Sequence, residues 1–496
     1  MAWQLLRKQS ERVRKLLSKG DYMTKVRKSV LFFLALLVSL AMPPSASDAF
    51  QWEKPTIKEE SISVSGGALK QKIYQFKNGD VFRMYRLEGQ IDSSPYVLSV
   101  PFAGEGSTFR HVLSTDNNGQ ITRVWNLLSL AETNELPLVP GFIESPSRYF
   151  WVASPIVYNP LGRTTIEEKK ELALPIAVKK EWYRMHLEVQ LPVKAGMVSE
   201  WWIMESSSPL VPWDSEPTAN LWLGVDLSDK AKWLYDGYYY TSPSTYVPYT
   251  VNAFWRNPEN YVVRSFLANP TSKAAQNMAY VMLDTAVRNQ EAEGHWKTYP
   301  QSQWLADDYG IPDGFYDTRF NTGMAELLLD GCKKYNESEF CESAKRYALY
   351  LRNHASQYHY VIPGPTDGWL VADYAHPTPH KPTHVSLNHQ LAEINFLWKM
   401  YMQFQDPADQ ALATVMLQGV TNLGERWITQ NGDLHYAWFP DDTFGRPDYP
   451  YLTYNDLRET QRLYRSLYGT EQPVIAQLMK SKEMWMAANK VVNPFQ

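Results

Sequence analysis

The spacing of apolar residues changes near position 270, and this change restricts the fold more than any other feature of the chain. Before it, short segments alternate apolar and polar residues, as half-buried strands do. After it, apolar residues recur three or four positions apart, as in Leu387, Leu391 and Ile394, and so share one helix face. The sequence therefore predicts a multidomain α+β protein in which an N-terminal all-β sandwich or open barrel precedes an all-α region.

Turn signals locate the strands. Asn78-Gly79 separates two alternating runs within 73–87, and Asn117-Asn118-Gly119 separates two more. Asn-Gly between such runs is the strongest short-range hairpin signal. Further strands are predicted at 149–158, 182–191 and 200–204. We expect a β-rich domain over 50–220 and an aromatic-rich joining segment over 221–269.

Helical periodicity dominates the rest of the chain. Helices are predicted at 271–290, 320–335, 338–356, 384–404, 407–429, 455–468 and 472–490. Long loops rich in Gly and Pro separate them. This alternation fits an α/α toroid, in which helix hairpins form a ring and the loops at one end build a cleft. We expect such a toroid over 270–496.

Residues 1–49 have the parts of a secretory signal. Lys and Arg are frequent up to residue 28, an apolar run extends from 30 to 42, and small residues stand at Ser47 and Ala49. These features predict export to the medium or the cell envelope, with cleavage after Ala49, and Met23 offers a second start. The apolar run is shorter than the roughly 20 residues of a membrane span, so an uncleaved anchor over 30–42 is the alternative.

Composition excludes some classes and leaves others open. A net charge of −4 over 496 residues gives no footprint for nucleic acid, so an anionic substrate would have to meet local cations. The 18 Trp and 31 Tyr fit either an aromatic core or a carbohydrate-binding surface. Two cysteines exclude a Cys-based structural zinc site. Export would let Cys332 and Cys341 form a disulfide between two predicted helices.

Three loops combine Tyr, His, Arg and carboxylates with Gly and Pro. They span 313–321, 367–384 and 433–455, and each borders a predicted helix. Loops of this composition in a compact domain are usually functional. His376, His380 and His384 recur every four residues, but the prolines among them break a helix, so we predict no metal site.

The motifs in these loops keep a recognisable order. In the second loop, Gly368-Trp369 and Asp373-Tyr374 precede a helix that opens with Leu387-Asn388. The third loop reads Arg446-Pro447-Asp448-Tyr449 and is followed by Asn455, and the first contains Gly314-Phe315-Tyr316. Together the motifs resemble the D-glucuronyl C5-epimerase family over roughly residues 290–468.

The resemblance implies an isomerase that inverts C5 of glucuronic acid in a heparosan-like polysaccharide, without a cofactor and as a homodimer. Removing the C5 proton leaves a carbanion beside a carboxylate, so an acid/base group is needed on each face of the sugar, with cations on the carboxylate. The family's catalytic positions correspond to Asp373, Tyr374 and Tyr449. Arg446 and Arg319 are predicted to bind the carboxylate. The other predicted substrate contacts are Tyr316, Trp369, Asp448, His376, Asn388 and Asn455.

Three other functions stay open. A polysaccharide lyase would use the same residues but expel the 4-O leaving group. A non-catalytic glycan-binding envelope protein would fit the departures from the family, which has Glu in place of Asp373 and His in place of Pro450 and Thr453. A glycoside hydrolase would need two carboxylates that flank one bond. Its candidates are Asp307-Asp308, Asp373 and Asp441-Asp442.

Overall fold

The computed structural model describes residues 52–104, 106–117, 120–181, 184–225 and 227–493. The predicted signal and the alternative anchor lie outside these residues. Among the helices of the described residues, none combines the length and the apolar composition that crossing a membrane requires.

The strands of the described residues fall into two groups. The longer ones are β1 Thr56–Val64, β2 Gly67–Gln75, β3 Val81–Gly89, β4 Ser93–Ala103, β5 Thr108–Asn117, β6 Gln120–Ser129, β7 Gly141–Glu144, β8 Tyr149–Val152, β9 Ile156–Gly162, β10 Thr165–Glu168, β11 Ala177–Glu181, β12 Arg184–Val193 and β13 Val198–Ser206. The shorter ones are β14 Ala231–Leu234, β15 Gly237–Thr241, β16 Tyr246–Val247, β17 Ala253–Arg256, β18 Gln301–Ser302, β19 Tyr316–Asp317, β20 His359–Ile362, β21 Gly368–Val371, β22 Tyr374–Ala375, β23 Val385–Ser386, β24 His435–Trp438 and β25 Phe444–Pro447.

Helices follow mainly in the second half. In the described residues they are α1 Glu216–Gly224, α2 Tyr261–Leu267, α3 Lys273–Asn289, α4 Gln303–Tyr309, α5 Thr318–Tyr335, α6 Ser338–Gln357, α7 Leu387–Phe404, α8 Pro407–Leu423, α9 Leu452–Tyr468 and α10 Pro473–Ala488. Short 3₁₀ turns occur at Lys170–Leu172 and Gly424–Trp427. The seven predicted helices are confirmed as α3 and α5 to α10, with ends that differ by a few residues.

Strand β13 is the centre of a 13-stranded antiparallel sheet. One edge pairs with β3. The other edge pairs with β9 near its start and with β8 near its end. On that edge the sheet divides into two arms, one running from β9 to β14 and the other from β8 to β6, while β3, β2 and β1 continue the sheet from the first edge. Nearly every residue of β13 is buried, as expected for a strand with neighbours on both edges and cover on both faces.

The hairpin predicted around Asn78-Gly79 is confirmed as β2 and β3, and helix α3 fixes it to the helical half. Asp80 is fully buried at the turn and accepts hydrogen bonds from Lys273 Nζ at 2.9 Å and Asn277 Nδ2 at 2.7 Å. The Tyr74 hydroxyl donates to Asp284 at 2.8 Å. Breaking such a buried charged contact would leave a carboxylate without its cation, which is strongly destabilising.

The predicted fold class, an all-β sandwich or barrel followed by an all-α toroid, is wrong, because the described chain is a mixed α/β fold. Strands β14, β15 and β17 of the joining segment extend the main sheet, so the sheet does not end where the β pattern weakens. In the helical half, the loops between helices contain the short strands β18 to β25. These strands form small separate sheets, and β18 pairs with β16 of the joining segment. Strands of two to four residues are too short to leave an alternating pattern in the sequence.

Helices α5, α7 and α9 begin close together. Arg319, in the first turn of α5, donates to the Asn388 carbonyl in α7 at 2.8 Å and pairs with Asp456 in α9 at 2.9 and 3.2 Å. Each of these helices follows one of the three loops that the sequence indicated as functional. The loops therefore meet at one end of the helices.

Cys332 of α5 and Cys341 of α6 form a disulfide, which confirms the predicted pairing. We expect replacement of both cysteines by alanine to lower the free energy of unfolding by about 2–3 kcal/mol, since the bond closes a short loop in the unfolded chain. Urea denaturation of the two proteins measures the difference. Equal stabilities, or two alkylatable thiols in the unreduced wild type, would contradict the expectation.

Candidate active site

A cleft of about 520 Å³ lies where the three loops meet. The chemically active residues on its wall are Asp317, Tyr374, Tyr436, Arg446 and Tyr449. Tyr246 joins them from the joining segment, because β16 pairs with β18 at the edge of the cleft. Residues distant in sequence therefore share one cavity of the size that small-molecule and sugar sites have.

Asp317 and Tyr374 are direct partners across the two-stranded sheet of β19 and β22. Side chains at such paired positions lie on the same face, with Cβ atoms about 5 Å apart. Both side chains are largely buried, and both line the cleft. The pairing sets a carboxyl group beside a phenol at the cleft wall.

Asp317 also caps the N-terminus of α5. Its Oδ1 accepts a hydrogen bond from the Phe320 backbone N–H at 3.0 Å. Burial raises the pKa of Asp317 to about 7, although the backbone N–H groups of Phe320 and Arg319 act in the opposite direction. A carboxyl group with this pKa is present in both protonation states near neutral pH, which suits a general acid or base.

Two further tyrosines form a pair in the cleft. The rings of Tyr436 and Tyr449 contact each other with centroids 5.7 Å apart, and Tyr449 is half-exposed. Burial raises the pKa of Tyr374, Tyr436 and Tyr449, and the charge of Asp317 contributes in the same direction. These phenols therefore stay protonated near neutrality and can donate a proton or a hydrogen bond.

Arg446 is the one guanidinium among the described residues that line the cleft. Its backbone has φ +66°, a left-handed conformation that residues other than glycine rarely adopt. The guanidinium lies over the Trp304 ring, 4.5 Å from the centroid, and pairs with the half-exposed Asp308 at 2.9 Å. Strained backbone of this kind is frequent at functional sites.

Asp373 is fully buried and is not among the residues of the cleft wall. Its Oδ1 accepts from the Ser386 N–H at 2.9 Å, and its Oδ2 accepts from the Ser386 hydroxyl. His384 Nε2 lies 3.3 Å from the same Oδ2. Burial raises the pKa of Asp373 well above its ordinary value. Asp373 can therefore act on a molecule in the cleft only through these neighbours.

The remaining predicted substrate residues make contacts within the protein. The guanidinium of Arg319 is taken up by Asp456 and by the carbonyl of Asn388, so it offers no open fork to a substrate carboxylate. The other contacts are Tyr316 Oη with Tyr347 Oη at 3.0 Å, Trp369 stacked on His359, Asp448 Oδ2 with Lys482 Nζ at 2.8 Å, His376 Nδ1 with Thr378 Oγ1 at 2.7 Å, and Asn455 Oδ1 with Asn493 Nδ2 at 2.7 Å.

Three residues of the cleft were missed in the sequence. Asp317 stands just before a helix, where aspartate is common for capping alone. Tyr436 lies inside the third loop without a motif of its own, and Tyr246 lies in a segment without periodicity. A carboxylate at the end of a functional loop is the signal that could have found Asp317. Among the described residues, no group of His, Cys, Asp and Glu could hold a metal ion.

No protein-family model matches the chain, and no curated protein matches its sequence. Among solved structures, D-mannose isomerase matches over 46% of this chain and 59% of its own, at 14% identity and TM-score 0.33. A family 76 glycoside hydrolase from a bovine Bacteroides thetaiotaomicron strain matches over 88% and 78%, at 11% and 0.34. Cellobiose 2-epimerase from Bacillus thermoamylovorans B4167 matches over 41% and 51%, at 8% and 0.32.

The raised pKa of Asp317 predicts a pH-dependent stability. The folded state favours the protonated carboxyl. The contribution of Asp317 to the stability of the fold is therefore complete below about pH 4 and is lost as the pH rises through about 7. Asp317→Asn keeps a capping oxygen and removes the titration. We expect the variant to melt at a higher temperature than the wild type at pH 8, with a smaller difference at pH 5.

Asp406→Asn is the matched control for this prediction. Asp406 caps α8, and its pKa is lowered by the hydrogen bond from Arg352. Its replacement should therefore lower the melting temperature at pH 8. The same sign of change in both variants would contradict the assignment.

Proposed function

We propose that this protein is an exported isomerase that inverts C5 of glucuronic acid units in a heparosan-like polysaccharide. The observation that carries the proposal is the meeting of Asp317, Tyr374, Tyr449 and Arg446 in one cleft. The family resemblance of the loops suggested uronate chemistry, and the cleft holds groups able to perform it. A carbohydrate substrate also fits the aromatic wall, because sugar C–H faces stack on such rings.

Asp317 is the proposed base. Its pKa of about 7 leaves a large ionised fraction at neutral pH, while the tyrosines around it stay protonated. It would take the C5 proton and become a carboxylic acid. Tyr374, its partner across β19 and β22, would hydrogen-bond the intermediate beside it.

The tyrosine pair Tyr436–Tyr449 is the proposed acid. Returning a proton to the opposite face inverts the centre, and a phenol that stays protonated can supply it. Arg446 would exchange its partner Asp308 for the sugar carboxylate. There it would stabilise the negative charge that develops on the substrate. Its planar fork suits a carboxylate better than an ammonium group does.

The composition of the cleft bears on the alternatives. A glycoside hydrolase needs two carboxylic acids at the bond, and Asp317 is the one carboxylic acid among the described residues of the cleft wall. A lyase would share the base and the carboxylate-binding arginine, so the product decides between lyase and epimerase. The disulfide in the described chain supports export, because such bonds persist in oxidising compartments.

Substitutions in the cleft test the roles. With a heparosan-type polymer in deuterated water, we expect wild type to exchange and invert C5. Asp317→Asn should abolish both, by about 10²-fold or more. Tyr449→Phe should keep exchange but lose inversion, since one base can remove and return a proton on the same face. Arg446→Ala should reduce the rate more than Arg446→Lys. NMR of the polymer follows both processes.

Melting curves confirm that each variant is folded. Full inversion by Asp317→Asn would refute the assignment of the base. An unsaturated product absorbing in the ultraviolet would identify a lyase instead. Binding without exchange in the wild type would favour a glycan-binding protein.

The rate of C5 exchange should depend on pH through Asp317. Only the ionised carboxylate can accept the proton, so kcat/KM should rise with pH and level off above about 7. The pH profile of deuterium incorporation measures this limb. A rate that falls across the same interval would point to a protonated group as the essential one.

A further inference from the structure

Asp308 contacts the arginine of the cleft without lining the cleft itself. Its Oδ2 accepts a hydrogen bond from Arg446 Nη2 at 2.9 Å, and the residue is not among those on the cleft wall. Among the described residues, this is the one hydrogen bond that the Arg446 guanidinium makes. The cation that would meet an anionic ligand therefore already has a carboxylate of the protein as its partner.

Other contacts hold Arg446 in place. The guanidinium lies 4.5 Å from the centroid of the Trp304 ring and 5.9 Å from that of the Phe439 ring. Trp304 packs in turn against Tyr374, with ring centroids 5.7 Å apart. The backbone of Arg446 is fixed by the pairing of β25 with β24. The ion pair is therefore not required to orient the guanidinium, and the main effect of Asp308 is its negative charge.

The carboxylate of Asp308 is presented from a fixed position at the end of α4. The helix ends at Gly310, which adopts φ +76°. Lys381 holds this end, because its backbone N–H donates to the Tyr309 carbonyl at 2.9 Å and its Nζ donates to the Asp308 carbonyl at 3.1 Å. The partial negative charge at the C-terminal end of a helix disfavours an acidic side chain. Helix stability therefore does not explain an aspartate at this position, whereas the contact with Arg446 does.

We propose that Asp308 is a specificity-determining residue that competes with the anionic group of the ligand for Arg446. This inference rests on the proposed function, because it takes Arg446 as the residue that binds the carboxylate of a sugar. When that carboxylate binds, it displaces Asp308, and the half-exposed side chain of Asp308 is then hydrated by solvent. No covalent bond forms or breaks in this exchange.

The competition selects a class of ligand. A small carboxylate gains at Arg446 little more than the protein loses with Asp308, so the exchange favours neither. A neutral sugar leaves the ion pair in place and meets a guanidinium whose charge is already balanced. An acidic glycan displaces Asp308 and also stacks on the aromatic rings of the cleft, such as that of Tyr449. The favoured ligand is therefore a saccharide that carries a carboxylate, because specificity comes from a competing interaction as well as from an attractive one.

Binding of two oligosaccharides tests the competition. Isothermal titration calorimetry at neutral pH and physiological salt compares a heparosan-type oligosaccharide with its carboxyl-reduced, neutral counterpart. We expect Asp308→Asn to bind the acidic oligosaccharide about two- to fivefold more tightly than the wild type, which is the change that the loss of one exposed ion pair corresponds to. The neutral oligosaccharide should bind equally to both proteins.

Steady-state kinetics give a second measurement of the same effect. With a heparosan-type polymer as substrate, KM of Asp308→Asn should fall by the same factor while kcat stays at the wild-type value. The reason is that displacement of Asp308 affects the bound substrate and the transition state alike.

Two matched variants serve as controls. Asp307→Asn removes the same charge one residue away, from an exposed side chain that makes no hydrogen bond or ion pair among the described residues. It should leave the Kd of both oligosaccharides unchanged. In an Arg446→Ala background, Asp308→Asn should no longer tighten binding, because its effect depends on the arginine. Melting curves confirm that each variant is folded.

The outcomes distinguish the two proposals. If the wild type inverts C5 and Asp308→Asn binds the acidic oligosaccharide no more tightly, the competition is refuted while the proposed function stands. Equal gains in Asp307→Asn and Asp308→Asn would also refute the competition, since they indicate a general effect of charge. Tighter binding by Asp308→Asn without C5 exchange in the wild type refutes the proposed function while the competition stands. No binding of the acidic oligosaccharide by either protein refutes both.

Discussion

The ion pair between Arg319 and Asp456 holds together the part of the molecule on which the cleft depends. The guanidinium makes two hydrogen bonds to the carboxylate and a third to the Asn388 carbonyl, so it joins the starts of α5, α7 and α9. Glu259, buried nearby, adds to the charge around Arg319. Removing one partner from such a cluster leaves an uncompensated buried charge. The three loops would then no longer be held at one place, and their side chains would not meet in the cleft.

The same ion pair bears on one role that the sequence predicted. An arginine in a loop beside tyrosines is a reasonable carboxylate ligand, and the sequence does not reveal that Asp456, more than a hundred residues later, occupies its guanidinium. Arg446 differs from Arg319 because it lines the cleft. Its motif placed it beside Tyr449, and the structure puts both on the cleft wall. Long-range pairing, rather than residue type, separates the two arginines.

Local signals predicted elements well and their assembly poorly. The Asn-Gly turns identified two hairpins, and helical periodicity identified α3 and α5 to α10, because both depend on neighbouring residues. The run at 149–158 was predicted as one strand but forms two, β8 and β9. Pro155 lies directly before Ile156, where β9 begins. The pairing of β19 with β22 joins segments more than fifty residues apart. No local pattern encodes that contact, and it is the contact that sets Asp317 beside Tyr374.

The position of Tyr246 has a consequence for how such a chain can diversify. This residue belongs to the segment between the two halves, yet it forms part of the cleft through the pairing of β16 with β18. The groups proposed as acid and base come from the helical half, and Tyr246 adds to the wall from outside it. Changes in the connecting segment could therefore alter the shape of the cleft while the residues proposed to handle protons stay as they are. The residue that forms this part of the wall and the acid/base groups proposed for the cleft are encoded in separate stretches of the gene.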